Sequence, residues 1–150
     1  MIDSVLGIDP GPTTGVCLLV CDGPLMASPL LYQCNHRAME SLLFHLVERH
    51  NPTYIAYETW APGKARGGGS TVTKELIGNI ASWWPSLTRG ATAGMVKPWA
   101  TDKRLNAVSE EFKRDATGMR HARDAGRHAL FCAVNQGLMP DPLSRKARVS

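Results

Sequence analysis

Apolar and polar positions follow two rhythms along this chain. Near the N-terminus the apolar residues come in short blocks. Val5-Leu6-Gly7-Ile8 ends on Asp9, breaks at Pro10-Gly11-Pro12, and is followed by Val16-Cys17-Leu18-Leu19-Val20. Apolar blocks bounded by turn residues predict strands, here over Ser4–Asp9 and Thr14–Cys21. Asp22-Gly23 has the form of a hairpin turn. A weaker third strand is predicted within Leu25–Gln33, where Pro29 argues for a sheet edge or a bulge. Thr53–Tyr57 predicts a fourth strand that runs directly into Glu58. Ala91–Val96 predicts a fifth.

Elsewhere the spacing changes to threes and fours. Met39, Leu42, Leu43, Leu46 and Val47 predict a helix over Arg37–Arg49, capped by Asn35 or His36 and ended by Asn51-Pro52. Leu76, Ile77, Ile80, Ala81 and Trp84 predict a second, starting near Ser70 or Thr71 and limited by Pro85. Leu105, Val108 and Phe112 predict a third over Ala100–Arg114, with Thr101 as its N-cap. The last spans Arg120–Asn135, with Gly137 just past its end. Three strands in meander followed by alternating strands and helices predict an α/β domain. Its sheet would be mixed and five-stranded, with helices on both faces. The domain is expected over 1–138, with 139–150 a basic, flexible tail.

Composition narrows the class. The chain has 150 residues, 43% hydrophobic and 20% charged, normal for one globular domain. No apolar run reaches the roughly 18 residues of a membrane span. Met1-Ile2-Asp3-Ser4 lacks the basic start of a signal peptide, so a cytoplasmic protein is expected. Cys17, Cys21, Cys34 and Cys132 form no CxxC pair, which predicts reduced thiols rather than a zinc site. The net charge is +4. Residues 1–96 carry six Lys/Arg against seven Asp/Glu, and residues 97–150 carry eleven against six. A basic C-terminal third makes nucleic acid the first partner to consider, with an ordinary solvated surface as the other reading.

The candidate chemistry lies where the two rhythms meet. Asp9 and Glu58 each end a predicted strand. Asp9 alone reads either as a turn opener, since Asp-Pro is common turn chemistry, or as a buried carboxylate needing a partner. On the last helix His121, Asp124 and His128 share one stripe, beside the small residues Ala122, Ala125, Ala129 and Cys132. Small residues let a helix lie close to a sheet. If the first and fourth strands are neighbours, that helix would bring His121 and Asp124 to Asp9 and Glu58. Carboxylates crowded together repel, and a divalent cation relieves this. Carboxylate oxygens suit Mg²⁺ and Mn²⁺, and a histidine tilts the set towards Mn²⁺. Two such ions about 4 Å apart are a standard device for phosphodiester hydrolysis.

Leu6-Gly7-Ile8-Asp9-Pro10-Gly11 with Thr14-Gly15, then Ile55-Ala56-Tyr57-Glu58, Val96-Lys97 with Thr101-Asp102-Lys103, and His121-Ala122-Arg123-Asp124-Ala125 occur in that order. Together they resemble the motifs of the RuvC family of Holliday junction resolvases, in the RNase H-like superfamily. The resemblance spans residues 6–125. It implies an RNase H-like fold and a metal-dependent endonuclease for four-way or other branched DNA, working as a homodimer. It also implies metal ligation, by two Mg²⁺ or Mn²⁺ ions in the family pattern, through Asp9, Glu58 and Asp124, with His121 as ligand or proton handler. Lys103 would contact or stabilise the scissile phosphate, and Lys97 is a further candidate DNA contact. Trp60 occupies the place of a family aromatic that touches the junction, where stacking on a base is worth roughly 1–3 kcal/mol. It reads equally as a hydrophobic plug at the sheet end. Lys64, Arg66 and Arg104 are further candidate DNA contacts. His121 stands where an acid is commoner, and the loop after Glu58 is unusually glycine-rich. The compact length suits a phage-encoded enzyme.

Three other readings remain at this level. One is a nuclease of the same fold acting on flaps, forks or RNA–DNA hybrids. Another is a catalytically silent DNA-binding protein, against which intact Asp9, Glu58 and Asp124 argue. The third is an actin-like or sugar-kinase-like ATPase, whose phosphate loop Asp9–Gly15 resembles. Such proteins need two copies of the core, and this chain has one.

Overall fold

Strand β1 (Asp3–Asp9) occupies the middle of the sheet because both of its faces are apolar. Leu6 and Ile8 point to one side, Val5 and Gly7 to the other, and all four are buried. In the computed structural model, which describes residues 2–21, 29–59, 71–114 and 118–144, it is flanked by β2 (Thr13–Cys21) and β4 (Tyr54–Thr59). With β3 (Leu30–Asn35) and β5 (Thr88–Thr92) the sheet has five strands in the order β3-β2-β1-β4-β5. The β1–β2 and β2–β3 pairs are antiparallel, and the β1–β4 and β4–β5 pairs are parallel. The mixed α/β sheet expected from the sequence is therefore the sheet observed, with β3 at an edge.

Helices α1 (Met39–His50) and α2 (Thr71–Trp83) cover one face, where Leu43, Leu46, Leu76 and Ile80 meet Leu6, Ile8 and Ile55. Burying each such side chain contributes about 1.5–3 kcal/mol. Helix α6 (Arg120–Asn135) covers the other face and lies across β1, β2 and β4. Its ends agree with the spacing. Beyond Asn135, Gly137 takes φ +76°, and the Gly137 and Leu138 N–H groups bond back to Val134 and Ala133. Residues after it continue the fold: Met139 is buried in the core and Asp141 pairs with Arg104.

Several elements differ from expectation, β3 among them, which runs to Asn35 rather than ending by Gln33. The fifth strand is Thr88–Thr92, not Ala91–Val96, and α3 (Ala93–Val96) follows it as one helical turn that buries Val96. An edge strand with Arg89 and Gly90 exposed shows no alternation, so pairing with β4, rather than its own pattern, makes it a strand. The single helix expected over Ala100–Arg114 is two, α4 (Asp102–Val108) and α5 (Glu111–Arg114). Ser109 breaks it in an extended conformation, and its Oγ accepts from the Glu111 N–H at 3.1 Å, opening the next helix. Similarly, Asn35 caps a short 3-10 turn, His36–Ala38, and α1 proper begins at Met39. Thr101 precedes α4 as expected but makes no side-chain cap bond. All four cysteines are free thiols, with Cys17, Cys21 and Cys132 buried. Among the described residues, no helix is long and apolar enough to cross a membrane.

Candidate active site

Period-two alternation puts Asp9 on the α6 side of β1, with Val5 and Gly7. In the parallel β1–β4 register Gly7 faces Ala56 and Ile8 faces Tyr57, so Asp9 and Glu58 take the next rung on neighbouring strands. Ala56 packs towards α6, and Glu58, two residues on, shares that face. The adjacency inferred from the sequence depended on these two strands being neighbours, and they are.

Glycines decide how close α6 can come. Gly15 lies opposite Asp9 in the β1–β2 ladder. A Cβ on Gly15 would stand 1.9 Å from the His121 carbonyl oxygen, and one on Gly7 would stand 2.2 Å from that of Ala125. Both distances are far inside contact, so the helix backbone rests on the bare strand backbone. This close approach lays the first turns of α6 over the end of β1.

The helix start is held from the sheet. Met119, its N-cap, makes no side-chain cap bond. Instead the Gln33 side chain of β3 reaches across, and its Oε1 accepts from the His121 N–H at 2.9 Å and the Ala122 N–H at 3.3 Å. These are donors that a helix's first turn otherwise leaves without partners. Sequence reasoning missed Gln33, because its partners are 88 and 89 residues away. Gln33→Ala should cost about 1 kcal/mol, or roughly 2–4 °C of melting temperature. Thermal unfolding followed by circular dichroism checks this, and an unchanged melt would remove Gln33 from the cap.

Within this frame each acidic side chain has a partner. Asp9, its side chain 13% exposed, places Oδ2 3.2 Å from His121 Nδ1. Burial pushes its carboxyl up from 3.8 to about 6, helped by the negative charges of Glu58 and Asp124 and opposed by His121. Glu58 places Oε1 3.4 Å from Nε2 of His128, which is buried. That contact holds the Glu58 carboxyl below its usual range against the effect of burial, with further help from the charges of His128 and Lys97. Asp124 lies 3.5 Å from Arg127 Nε. His128 shared the stripe with His121 and Asp124 in the sequence, but nothing there tied it to Glu58.

The basic candidates separate. Lys97 is exposed, near enough to act on Glu58 by its charge, and Lys103 is exposed in the first turn of α4. Their neighbour Asp102 takes Arg123 at 2.7 Å and Arg127 at 2.6 Å, which ties the start of α4 to α6 beside the site. Arg104 is placed otherwise than a free DNA contact would be. Its guanidinium makes two bonds to Asp141, at 3.0 and 2.9 Å, bonds the Trp99 carbonyl, and stacks on the Trp99 ring at 4.5 Å. A planar fork engaged on a carboxylate and a ring has few donors left for phosphate. Trp60, Lys64 and Arg66 lie outside the described residues, as does the turn expected at Asp22-Gly23.

The donor set suits a hard divalent cation in kind: three carboxylates and an imidazole, with the like charges of Glu58 and Asp124 disfavouring ionisation of Asp9. As oriented, these side chains turn to partners within the chain. Among the described residues, no three His, Cys, Asp or Glu side chains converge to hold a metal ion.

No protein-family model matches the chain, and no curated protein matches it significantly in sequence. Solved structures do match in fold. A structure of Thermus thermophilus RuvC in complex with Holliday junction substrate has a TM-score of 0.55 at 14% identity, covering 91% of this chain and 97% of that one. A second Thermus thermophilus RuvC structure gives 0.55 at 15% identity, covering 90% and 97%. The fold is RNase H-like, of the kind seen in RuvC.

Proposed function

We propose that this chain is a divalent-metal-dependent endonuclease that hydrolyses phosphodiester bonds in branched DNA, four-way junctions foremost, as a homodimer. The observation that carries this reading is the placement of Asp9 and Glu58 on one face of adjacent parallel strand ends, with α6 bringing His121 and Asp124 over them. Support for the substrate comes from the RuvC–junction complex, which shares the fold, and from the basic C-terminal third. Two active sites are needed to nick a junction symmetrically, hence the dimer.

Asp9, Glu58 and Asp124 would hold Mg²⁺ or Mn²⁺, with His121 either joining them or taking a proton from the attacking water. When bound, such ions lower the pKa of water and neutralise charge on the phosphate. Lys103, on a helix start anchored through Asp102, would neutralise charge that develops on the scissile phosphate. Trp60, Lys64, Arg66 and Lys97 remain candidates for contact with the DNA arms.

The test is a cleavage panel of four-way junction, flap, fork, linear duplex and RNA–DNA hybrid, each with Mg²⁺ and with Mn²⁺. Paired symmetric nicks at the junction centre are expected. Cleavage of flaps, forks or hybrids without paired nicks would move the substrate, and no cleavage of any would leave a DNA-binding protein. Lys103→Ala should slow cleavage by about 10²-fold while junction affinity falls severalfold at most. Equal losses would make Lys103 a general phosphate contact.

A further inference from the structure

Helix α6 carries two histidines seven residues apart, and each meets one strand-end carboxylate. His121 meets Asp9 at 3.2 Å and His128 meets Glu58 at 3.4 Å. Seven residues make two helical turns, so both rings leave the same face of α6. The pairs differ in exposure. The His121 side chain is 31% exposed, whereas that of His128 is 4% exposed, one of few buried polar side chains among the described residues. A buried imidazole needs a partner, and among the described residues Glu58 Oε1, 3.4 Å away, is the ion-pair partner of its Nε2.

We propose that His128 is a positioning residue for the strand-end site: its Nε2–H holds Oε1 of Glu58 and leaves Oε2 as the oxygen offered to a cation. This rests on the reading of Glu58 as a ligand. A Glu side chain has three rotatable bonds, and fixing one oxygen removes much of that freedom before a cation arrives. Ring-to-carboxylate contacts of this kind orient ligating groups, and their loss typically lowers metal affinity or activity roughly 10–100-fold. The burial of His128 means that water cannot easily replace it. Beside the ring lies a cavity of about 310 Å³ between β5 and α6, walled by Ala56, Ala91, Met95 and Phe131. It gives a small exogenous ring a route to the same place.

The experiment uses the full chain and two readouts: Mn²⁺ binding without DNA, by electron paramagnetic resonance, and junction cleavage as a function of Mg²⁺ concentration. His128→Leu keeps the packing and removes the donor. It should weaken Mn²⁺ binding roughly 10–100-fold and shift half-maximal cleavage to higher Mg²⁺ by a similar factor. His128→Gln, whose amide also donates, should stay within about threefold of the parent. In His128→Ala, added imidazole should recover part of the lost affinity, and this arm decides if His128→Leu does not fold. A folded His128→Leu that binds Mn²⁺ like the parent, or a His128→Ala that imidazole leaves unchanged, overturns the proposal alone. A parent protein that neither binds Mn²⁺ nor cleaves any branched DNA overturns the reading of Glu58 as a ligand, and this proposal with it.

Discussion

Asp9→Asn is expected to abolish junction cleavage, keep junction binding, and make the metal-free protein more stable at pH 7. The first effect follows from ligand chemistry. An amide oxygen is a poor donor to a hard cation, so cleavage should fall by a factor on the order of 10³ or more, about 4 kcal/mol of barrier. Binding should survive because the proposed DNA contacts are basic and lie elsewhere.

The gain in stability follows from linkage. The Asp9 carboxyl is raised from 3.8 to about 6, first by burial and then by Glu58 and Asp124. A raised carboxyl means that the folded state holds its proton more tightly than the unfolded chain does. Stability from this group is therefore lost as pH rises from about 4 to 6, and the deficit persists at pH 7. Asn carries no charge, so it recovers that deficit, which is already net of the attraction to His121. The net gain should be on the order of 1–3 kcal/mol at pH 7 and should vanish below pH 4. Denaturant unfolding of both proteins at the two pH values measures it. Adding Mn²⁺ should then stabilise the parent and not the variant. Full cleavage by Asp9→Asn would end the metal mechanism. An equal or lower stability at pH 7 would mean that Asp9 is not strained by its neighbours.

Gly15→Ala should be the most damaging single methyl that can be added to this protein's sheet. The new Cβ would meet backbone atoms of α6, the His121 oxygen at 1.9 Å and its carbonyl carbon at 2.1 Å, rather than the tip of a flexible side chain. Neither chain can yield locally. Gly15 is held in the ladder opposite Asp9, and the start of α6 is held by Gln33. Either the helix lifts, which separates His121 from Asp9, or the strand shifts. The expected cost is about 3 kcal/mol or more, at the upper end for overpacking, together with loss of cleavage. Gly78→Ala is the control. Nothing lies within 4 Å of its added Cβ, and it sits in α2, so it should stabilise the protein by roughly 0.5–1 kcal/mol. Similar unfolding midpoints for the two variants would show that α6 does not need the bare strand.

Much of this architecture was readable in advance because it depends on local period. Short apolar blocks bounded by turn residues marked β1, β2 and β4, and the three-and-four spacing placed α1, α2 and α6. These signals are strong where one or both faces are buried. They failed where burial is weak or a side chain competes with the backbone. The edge strand β5 is recognisable by its partner, and Ser109 split a helix whose apolar stripe, Leu105, Val108 and Phe112, continues across the break.

The candidate site divides in the same way. By itself the sequence determined that carboxylates end β1 and β4 and that His121, Asp124 and His128 share one face of α6, since these facts follow from side-chain direction along a strand and a helix. Only the tertiary structure decided the partners: His128 for Glu58, Gln33 for the start of α6, Asp102 for Arg123 and Arg127, and Asp141 for Arg104. Each joins residues far apart in the sequence, by 21 to 89 positions. Which donor meets which acceptor depends on the register, the crossing of α6 over the sheet, and the few ångströms that Gly7 and Gly15 leave open.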